Sequence, residues 1–220
     1  MRLNALGLIA LGLTALPTVS KADFYIGTQL MNSGPIVTQA TGASGASFSG
    51  SIGNAGIFVI SASDPGSAFT ATALSVPTSG SPPFFAEIYV TETGLTAPLG
   101  TPSFASTFTA NVVQPGGTAS EQTLISDTNA IYGGTPISTS GTFLAPSSET
   151  DVGTGSTGPG AFSETITFTF ADPSPSGNRT NLDVVAAVIP EAASVPEPAT
   201  ASLLGLGLAA IGCLRRRRSR

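Results

Sequence analysis

The chain has 220 residues, of which 41% are hydrophobic and 10% are charged, and its formal net charge is −5. It contains no histidine and no tryptophan, and its single cysteine, Cys213, lies near the C-terminus. This composition excludes a Ser-His-Asp triad, zinc sites built on several histidines or cysteines, and intramolecular disulfides.

The N-terminal segment has the three parts of a secretory signal peptide. Arg2 supplies the positive charge, and residues 5–16 form an apolar run. Small residues lie just before the expected cleavage site, which follows Ala22. We therefore expect a signal peptide over residues 1–22, handled by the Sec translocon and signal peptidase and cut between Ala22 and Asp23. The alternative is an N-terminal membrane anchor, for which the apolar run is short.

The segment between the two termini is acidic. From residue 23 to residue 195, Arg179 is the only base beside 12 of the 13 Asp and Glu residues, which gives a net charge of −11. Such a surface repels nucleic acid and anionic lipid, so we expect no nucleic-acid partner. Residues 23–191 are long enough to form one domain with its own core.

The spacing of apolar residues in this domain predicts β-structure. Helical periodicity is absent, and short β-type stretches are separated by Gly, Pro and Ser clusters. Residues 162–170 alternate most regularly, with Ile166, Phe168 and Phe170 on one face and Thr165, Thr167 and Thr169 on the other. Similar stretches predict strands at residues 24–30, 46–52, 57–60, 68–76, 84–91, 103–113, 122–126, 137–144 and 181–188. The expected fold is all-β, an antiparallel β-sandwich of about ten strands.

Other local patterns refine this expectation. Residues 57–60 are continuously apolar and predict a central buried strand. Gly94 and the segments 115–117, 133–134 and 172–173 predict turns. Residues 147–160 are rich in Gly, Ser and Thr and predict a long loop.

The C-terminus carries three signals in a fixed order. Pro196, Glu197 and Pro198 form a stiff extended tripeptide, because proline fixes its own φ and restricts the residue before it. Residues 199–214 are uncharged and predict a short transmembrane helix of roughly 24 Å, which can span with local thinning of the bilayer. The arginines that follow would stop transfer and stay in the cytoplasm; they are Arg215, Arg216, Arg217 and Arg218.

This tail resembles the PEP-CTERM sorting signal of Gram-negative bacteria. The resemblance implies recognition by exosortase, an integral-membrane cysteine protease-transpeptidase, in a bacterium that secretes an exopolysaccharide. It covers about the last 26 residues, from Val195 to Arg220, within the expected linker and tail at residues 192–220, and says nothing direct about the domain. An ordinary C-terminal membrane anchor is the alternative. Cys213 is either a small apolar helix residue or a lipidation site near the membrane face.

Few residues of the domain can support chemistry. Glu87 could pair with Glu92, Glu164 or another acid as in a glycosidase, although solvated acids on strand faces give the same pattern. Acids in turn-like contexts could bind calcium or could simply favour turns; they are Asp64, Asp127, Glu149, Asp151 and Asp172. None of them forms an EF-hand loop. Residues 178–180 match an N-glycosylation acceptor, which in a bacterium is usually chance.

The aromatic side chains offer one further possibility. Tyr25, Tyr89 and Tyr132 could form a platform on which sugars stack, or they could serve only in packing. Taken together, the sequence predicts an exported protein without catalytic residues, cofactor or metal. We expect it to be sorted to the cell surface or matrix and to have a structural or adhesive role in exopolysaccharide. A carbohydrate-binding module is the alternative function, and a carboxylate-based glycosidase is a third.

Overall fold

A computed structural model of the protein describes residues 22–30, 34–52, 57–64, 68–76, 84–113, 116–172 and 182–190. These residues form twelve strands and no helix. The strands are β1 (Asp23–Leu30), β2 (Val37–Gly42), β3 (Ala46–Ser51), β4 (Ile57–Ser63), β5 (Phe69–Val76), β6 (Phe84–Leu95), β7 (Ser103–Val113), β8 (Thr118–Ser126), β9 (Thr135–Thr139), β10 (Ser147–Thr154), β11 (Phe162–Asp172) and β12 (Leu182–Pro190).

The strands form two six-stranded sheets. The first sheet has the order β2-β1-β6-β11-β8-β9 and the second has the order β10-β7-β12-β5-β4-β3. Every neighbouring pair is antiparallel. The predicted antiparallel β-sandwich is therefore confirmed, with more strands than expected.

The core lies between the two sheets and follows from period-two alternation. On β11, Ile166, Phe168 and Phe170 are fully buried, as the sequence predicts. Phe168 meets Phe108 of the second sheet with ring centroids 6.2 Å apart, and Phe170 meets Phe58 at the same distance. These aromatic contacts join the inner faces of the sheets, in place of the disulfide that the domain cannot form.

Both chain ends of the described domain lie at one end of the sandwich. Phe24, near the start of β1, packs against Phe69 of the second sheet with ring centroids 6.2 Å apart. Phe69 in turn pairs with Val188, close to the end of β12. The start of β1 and the end of β12 therefore lie at the same end of the sandwich.

Several local predictions were wrong. Residues 147–160 were expected to form a loop, yet β10 begins at Ser147 and pairs along its whole length with β7. Most of its side chains are exposed, so it shows no apolar alternation. β2 was missed for the same reason. Gly94, expected in a turn, lies inside β6 with φ 76°, where the ladder to β11 shifts register.

Two strand predictions need smaller corrections. β4 is not a central buried strand, because it lies next to the edge strand β3 and its Val59 is 44% exposed. The strand expected at residues 137–144 is β9, which ends at Thr139. Beyond it, Ser140 N–H donates to the carbonyl oxygen of Glu121 at 2.9 Å, and an isolated bridge joins Ala119 of β8 to Phe143.

Several predictions fall outside the described residues. They concern the signal peptide up to residue 21, the linker and tail at residues 192–220, and residues 178–180. Among the residues that the structure describes, no helix is long and apolar enough to cross a membrane.

Candidate functional site

The three tyrosines of the chain come together on the outer face of the first sheet. Tyr25 lies on β1 and Tyr89 on β6, while Tyr132 lies in the connection between β8 and β9, residues 127–134, called here the Tyr132 loop. The rings of Tyr89 and Tyr132 are 6.0 Å apart at 60°. We call these three residues the tyrosine cluster.

Strand register explains the placement of two of them. Tyr89 is the cross-strand partner of Gly27, and Tyr25 lies two positions before Gly27, so all three positions face outward. All three tyrosine side chains are half-buried. Each can therefore contact a ligand while remaining held by neighbours.

Tyr132 is fixed over the sheet by several contacts. Its hydroxyl donates to Thr38 Oγ1 at 3.0 Å, and its backbone N–H donates to Thr91 Oγ1 at 3.2 Å. Its ring occupies the space above Gly27, where an added Cβ would lie 2.6 Å from Tyr132 Cζ. Its φ of 59° is in the left-handed region, which is unfavourable for a bulky residue. The surrounding contacts thus hold a strained residue in place, as is common at functional sites.

The remainder of the loop is anchored in the same way. Ser163 donates to the carbonyl oxygen of Ala130 at 2.6 Å, and Gly94 N–H donates to Asn129 Oδ1 at 2.7 Å. Asn129 also has a positive φ, of 56°, which asparagine tolerates better than most residues. These two contacts fasten this part of the loop to β11 and β6, in addition to the contact of Tyr132 with Thr38 on β2.

Polar groups border the tyrosine cluster. The hydroxyl of Tyr89 lies 2.7 Å from Glu87 Oε2 and 3.1 Å from Gln29 Oε1. Gln29 in turn donates from Nε2 to the carbonyl oxygen of Gly34 at 2.7 Å. Burial, helped by the hydrogen bond and charge of Glu87, raises the pKa of Tyr89. Burial also raises the pKa of Tyr132. Both hydroxyls therefore stay neutral at physiological pH.

This arrangement can bind a ligand with both apolar and hydroxyl-bearing faces. Half-buried aromatic rings offer flat apolar surface, and the fixed carboxylate and amide groups offer hydrogen bonds at its edge. The sequence allowed such a platform but could not distinguish it from scattered packing residues. The outward positions of Tyr25 and Tyr89 on their strands could have predicted that both lie on one sheet face. The position of Tyr132 above Gly27 depends on the tertiary fold and has no such local signal.

A second group of functional candidates, the carboxylates, is arranged differently from expectation. Glu87 faces outward on β6, while Glu92 faces the core and pairs across the ladder with Glu164 of β11. The suggested pairing of Glu87 with Glu92 or Glu164 is therefore wrong. Glu92 and Glu164 are 1% and 3% exposed, so a polysaccharide cannot reach them in this structure.

The buried pair has perturbed acidity. Burial, with a smaller effect from the charge of Asp64, raises the pKa of Glu92 to about 7. Burial and the charges of Glu92 and Asp64 raise the pKa of Glu164 to about 8. Glu92 Oε1 is buried without a hydrogen-bond partner. Because like charges this close disfavour joint ionisation, the pair is held most stably with at least one proton.

Glu121 is a third buried acid, at the side of the sandwich near β9 and β10. Its Oε1 accepts hydrogen bonds from Ser106, at 3.3 Å, and from Thr123. Burial raises its pKa to about 7, against the opposing effect of these two hydrogen bonds. Glu149 and Asp151 of β10 add a smaller rise through their charges.

The acids considered for calcium are spread over the described domain. Asp64 follows β4, Asp127 begins the Tyr132 loop, and Glu149 and Asp151 lie on β10. In the described parts of the chain, no three Asp, Glu, His or Cys residues are grouped so that they could hold a metal ion. The predicted signal-cleavage position is at the start of β1, where Ala22 packs against the core and Asp23 is the first strand residue.

Comparisons with known proteins identify the tail. Residues 194–218 match the family model of the PEP-CTERM protein-sorting motif, so the chain carries this motif and the resemblance seen in the sequence is confirmed. No curated protein matches the chain.

Among solved structures, one similar chain is TmCBM61 in complex with beta-1,4-galactotriose. It shares 9% sequence identity at a TM-score of 0.33, over 61% of this chain and 88% of that chain. A likeness this distant carries no argument about the function of the present protein.

Proposed function

We propose that the protein is exported, is sorted and processed through its PEP-CTERM motif, and binds exopolysaccharide through the tyrosine cluster without acting as an enzyme. The observation that carries this proposal is the convergence of Tyr25, Tyr89 and Tyr132 on one sheet face. The binding role was the alternative function from the sequence, and the geometry of the cluster favours it over a purely structural role.

The sorting part of the proposal is supported by the two termini. The motif at residues 194–218 implies handling by exosortase, with the chain anchored in the membrane before processing. The signal-like segment at residues 1–22 is consistent with entry into the Sec pathway. We propose that the processed protein then stays at the cell surface or in the extracellular matrix.

The binding part is supported by the rigidity of the cluster. Three separate contacts hold Tyr132 above Gly27, and Glu87 and Gln29 flank Tyr89. A site that is ordered before binding loses little conformational entropy when a ligand arrives. A protein that only filled space in a matrix would not need a strained tyrosine fastened in this position.

The non-enzymatic part rests on the carboxylates. Hydrolysis of a glycan by two carboxyl groups requires that both flank the scissile bond. Glu92 and Glu164 are paired in the core, whereas Glu87 lies on the outer face near Tyr89. Turnover of the host polymer by the purified protein would contradict this part directly.

The test of binding is calorimetric titration of the protein with exopolysaccharide purified from its host. We expect saturable binding that weakens about tenfold or more in Tyr132→Ala, because buried aromatic anchors carry much of the energy of such sites. Ile131→Ala is the matched control, since Ile131 is 46% exposed in the same loop and does not belong to the cluster. Equal, non-saturable uptake by both variants and the wild type would favour the structural role instead.

A further inference from the structure

The outer face of the second sheet, called here the second-sheet face, carries almost no charge. Strand register assigns its side chains, because positions that alternate with buried residues point outward. Glu149 and Asp151 lie opposite buried residues of β7, so these two acids belong to the other face of β10. Asp183 is the one charged residue that the described strands place on the second-sheet face. Since residues 23–195 carry a net charge of −11, a face with a single charge is unusual for this domain.

The strand β12, in the interior of the second sheet, is apolar on both faces. Every residue from 184 to 189 is Val, Ala or Ile. The even-numbered members face the core, and the odd-numbered members point outward. An antiparallel strand with one face in water normally alternates apolar and polar residues, as β11 does with its threonines. The composition of β12 is therefore that of a strand covered on both sides.

A continuous apolar band crosses the second-sheet face diagonally. It follows the outward residues of β12 and continues onto the strands on either side; its members are Val152, Ala105, Ile189, Ala187, Val185, Leu74 and Val59. At one end of the band, Ala105 pairs with Ile189 and with Val152. At the other end, Leu74 pairs with Val59. Val152, Ile189 and Val59 are 52%, 46% and 44% exposed, and contiguous apolar surface of this kind marks a contact with a partner.

Hydroxyl groups fill most of the remaining face and bond to one another. Three cross-strand pairs have oxygen–oxygen distances of 3.0, 2.8 and 2.6 Å; they are Thr107 with Thr150, Thr109 with Ser148, and Ser61 with Thr72. Each pair satisfies part of the hydrogen-bonding capacity of its members within the sheet. The cost of removing these hydroxyls from water is lowered accordingly.

The size of the second-sheet face reaches that of a specific interface. Six strands about 4.8 Å apart, each about seven residues long at about 3.3 Å per residue, give a surface of roughly 24 Å on each side. Two such faces packed together would bury about 1,200 Å² in total, which is the lower end of the range for stable protein–protein interfaces. This area suits a dimer that forms at micromolar concentrations.

The charge of the domain favours a second copy of the chain as the occupant. Two domains with a net charge of −11 repel each other, and this repulsion is weakest where each presents a face with a single acid. A neutral glycan is not repelled by acids, so it does not require a charge-poor face six strands wide. In an isologous contact whose two-fold axis runs along the apolar band, band would lie on band and hydroxyls on hydroxyls.

On these grounds we propose that the second-sheet face is the interface of a homodimer in which two copies of the chain pack face to face. Sheets packed in this way lie about 10 Å apart, as in the core of a sandwich. The dimer does not depend on glycan binding, because the tyrosine cluster lies on the outer face of the first sheet. Two clusters on opposite sides of the dimer would join two polysaccharide chains, a consequence that rests on the proposed function.

Sedimentation equilibrium of the full protein purified from its host, from about 1 µM to about 200 µM, measures the association. We expect a monomer–dimer equilibrium with a Kd on the order of 10 µM. Raising the ionic strength from about 0.01 M to about 0.5 M should tighten the dimer several-fold, because salt screens the repulsion between two acidic copies. An interface held by ion pairs would weaken instead.

Val59→Glu tests the face directly. Val59 is 44% exposed, so the substitution adds a charge to the apolar band without emptying the core, and the Kd should rise about tenfold or more. Val37→Glu is the matched control, because Val37 is 53% exposed on β2, at the edge of the first sheet, and its Kd should change about twofold or less. Ser61→Glu, at an exposed position of the same face, replaces Val59→Glu if that variant does not fold.

The outcomes separate the dimer from the other occupants of the face. A wild type that stays monomeric at about 200 µM, or association that persists unchanged in Val59→Glu and Ser61→Glu, would overturn the dimer. A monomeric wild type whose Val59→Glu variant binds host polysaccharide more weakly would assign the face to the glycan. A protein that dimerises as expected but binds no polysaccharide would overturn the proposed function and leave the dimer intact.

Discussion

The buried pair of Glu92 and Glu164 should make the protein less stable as the pH rises. In the unfolded chain both groups have an ordinary pKa of 4.5, whereas burial raises the pKa of Glu92 to about 7 and that of Glu164 to about 8 in the fold. Between pH 4.5 and about pH 7 to 8, the folded protein therefore still holds protons that the unfolded chain has already released. The stabilisation is complete below pH 4.5 and is lost as the pH passes through about 7 to 8.

The size of the effect follows from Glu164. A tenfold change in proton affinity corresponds to about 1.4 kcal/mol. A rise in pKa from 4.5 to about 8 therefore lowers the free energy of unfolding at alkaline pH by up to roughly 5 kcal/mol. Since a domain of this size is typically stable by about 5–15 kcal/mol, this loss is large enough to measure easily.

Glu164→Gln is the perturbation that isolates this term. Glutamine has nearly the same shape but no charge, and its presence also removes the repulsion that Glu164 exerts on Glu92. At pH 4.5 the variant should differ from the wild type by about 1 kcal/mol or less, within the range of a typical hydrogen-bond change. At about pH 9 it should be more stable by several kcal/mol.

Urea denaturation followed by far-UV circular dichroism, repeated from about pH 4 to about pH 9, measures this difference. Asp127→Asn is the control, because Asp127 is an exposed acid at the start of the Tyr132 loop and its substitution removes the same charge without affecting the pair. A wild-type stability that stays level or rises over this range, or a Glu164→Gln curve parallel to that of the wild type, would refute the reasoning.

Two further predictions concern the cluster and the tail. Gly27→Ala should displace Tyr132, because the new Cβ would lie 2.6 Å from Tyr132 Cζ. Glycan affinity measured by calorimetry should fall about tenfold. Thermal unfolding should show that the free energy of unfolding falls by about 1–3 kcal/mol. Gly160→Ala is the control, since no atom lies within 4 Å of its added Cβ; equal effects of both substitutions would contradict the contact. Replacing residues 196–198 with alanine should leave an uncut, membrane-retained chain, and an intact mass identical to that of the wild-type product would contradict exosortase processing.

Much of the fold could be predicted because one face of most strands is buried. Period-two alternation in β7 and β11 marks which side chains face the core, and these residues do so in the structure. β10 had no such signal, because nearly all of its side chains are exposed. It is held by its backbone ladder to β7 and by hydroxyl pairs such as Thr107 with Thr150, at 3.0 Å. Edge strands of this kind depend on their neighbour and are therefore hidden from local sequence patterns.

The site was less predictable than the fold. The sequence identified the tyrosines as candidates, but they are separated by 64 and 43 positions along the chain. Their meeting depends on the pairing of β1 with β6 and on the return of the Tyr132 loop over Gly27. Likewise, the acids could be named as a possible pair, but the register of β11 against β6 places Glu92 opposite Glu164 and Glu87 opposite Thr169.

The most direct test of the central claim uses the fact that the chain contains 3 tyrosines. Ring-labelled tyrosine would give one set of NMR signals for each of Tyr25, Tyr89 and Tyr132, observed while host exopolysaccharide fragments are titrated. The proposed function predicts that the signals of Tyr89 and Tyr132 shift together and saturate, with Tyr25 also affected. Saturable binding of the fragments with all three sets of signals unchanged would show that the glycan contacts another surface, and would contradict the account.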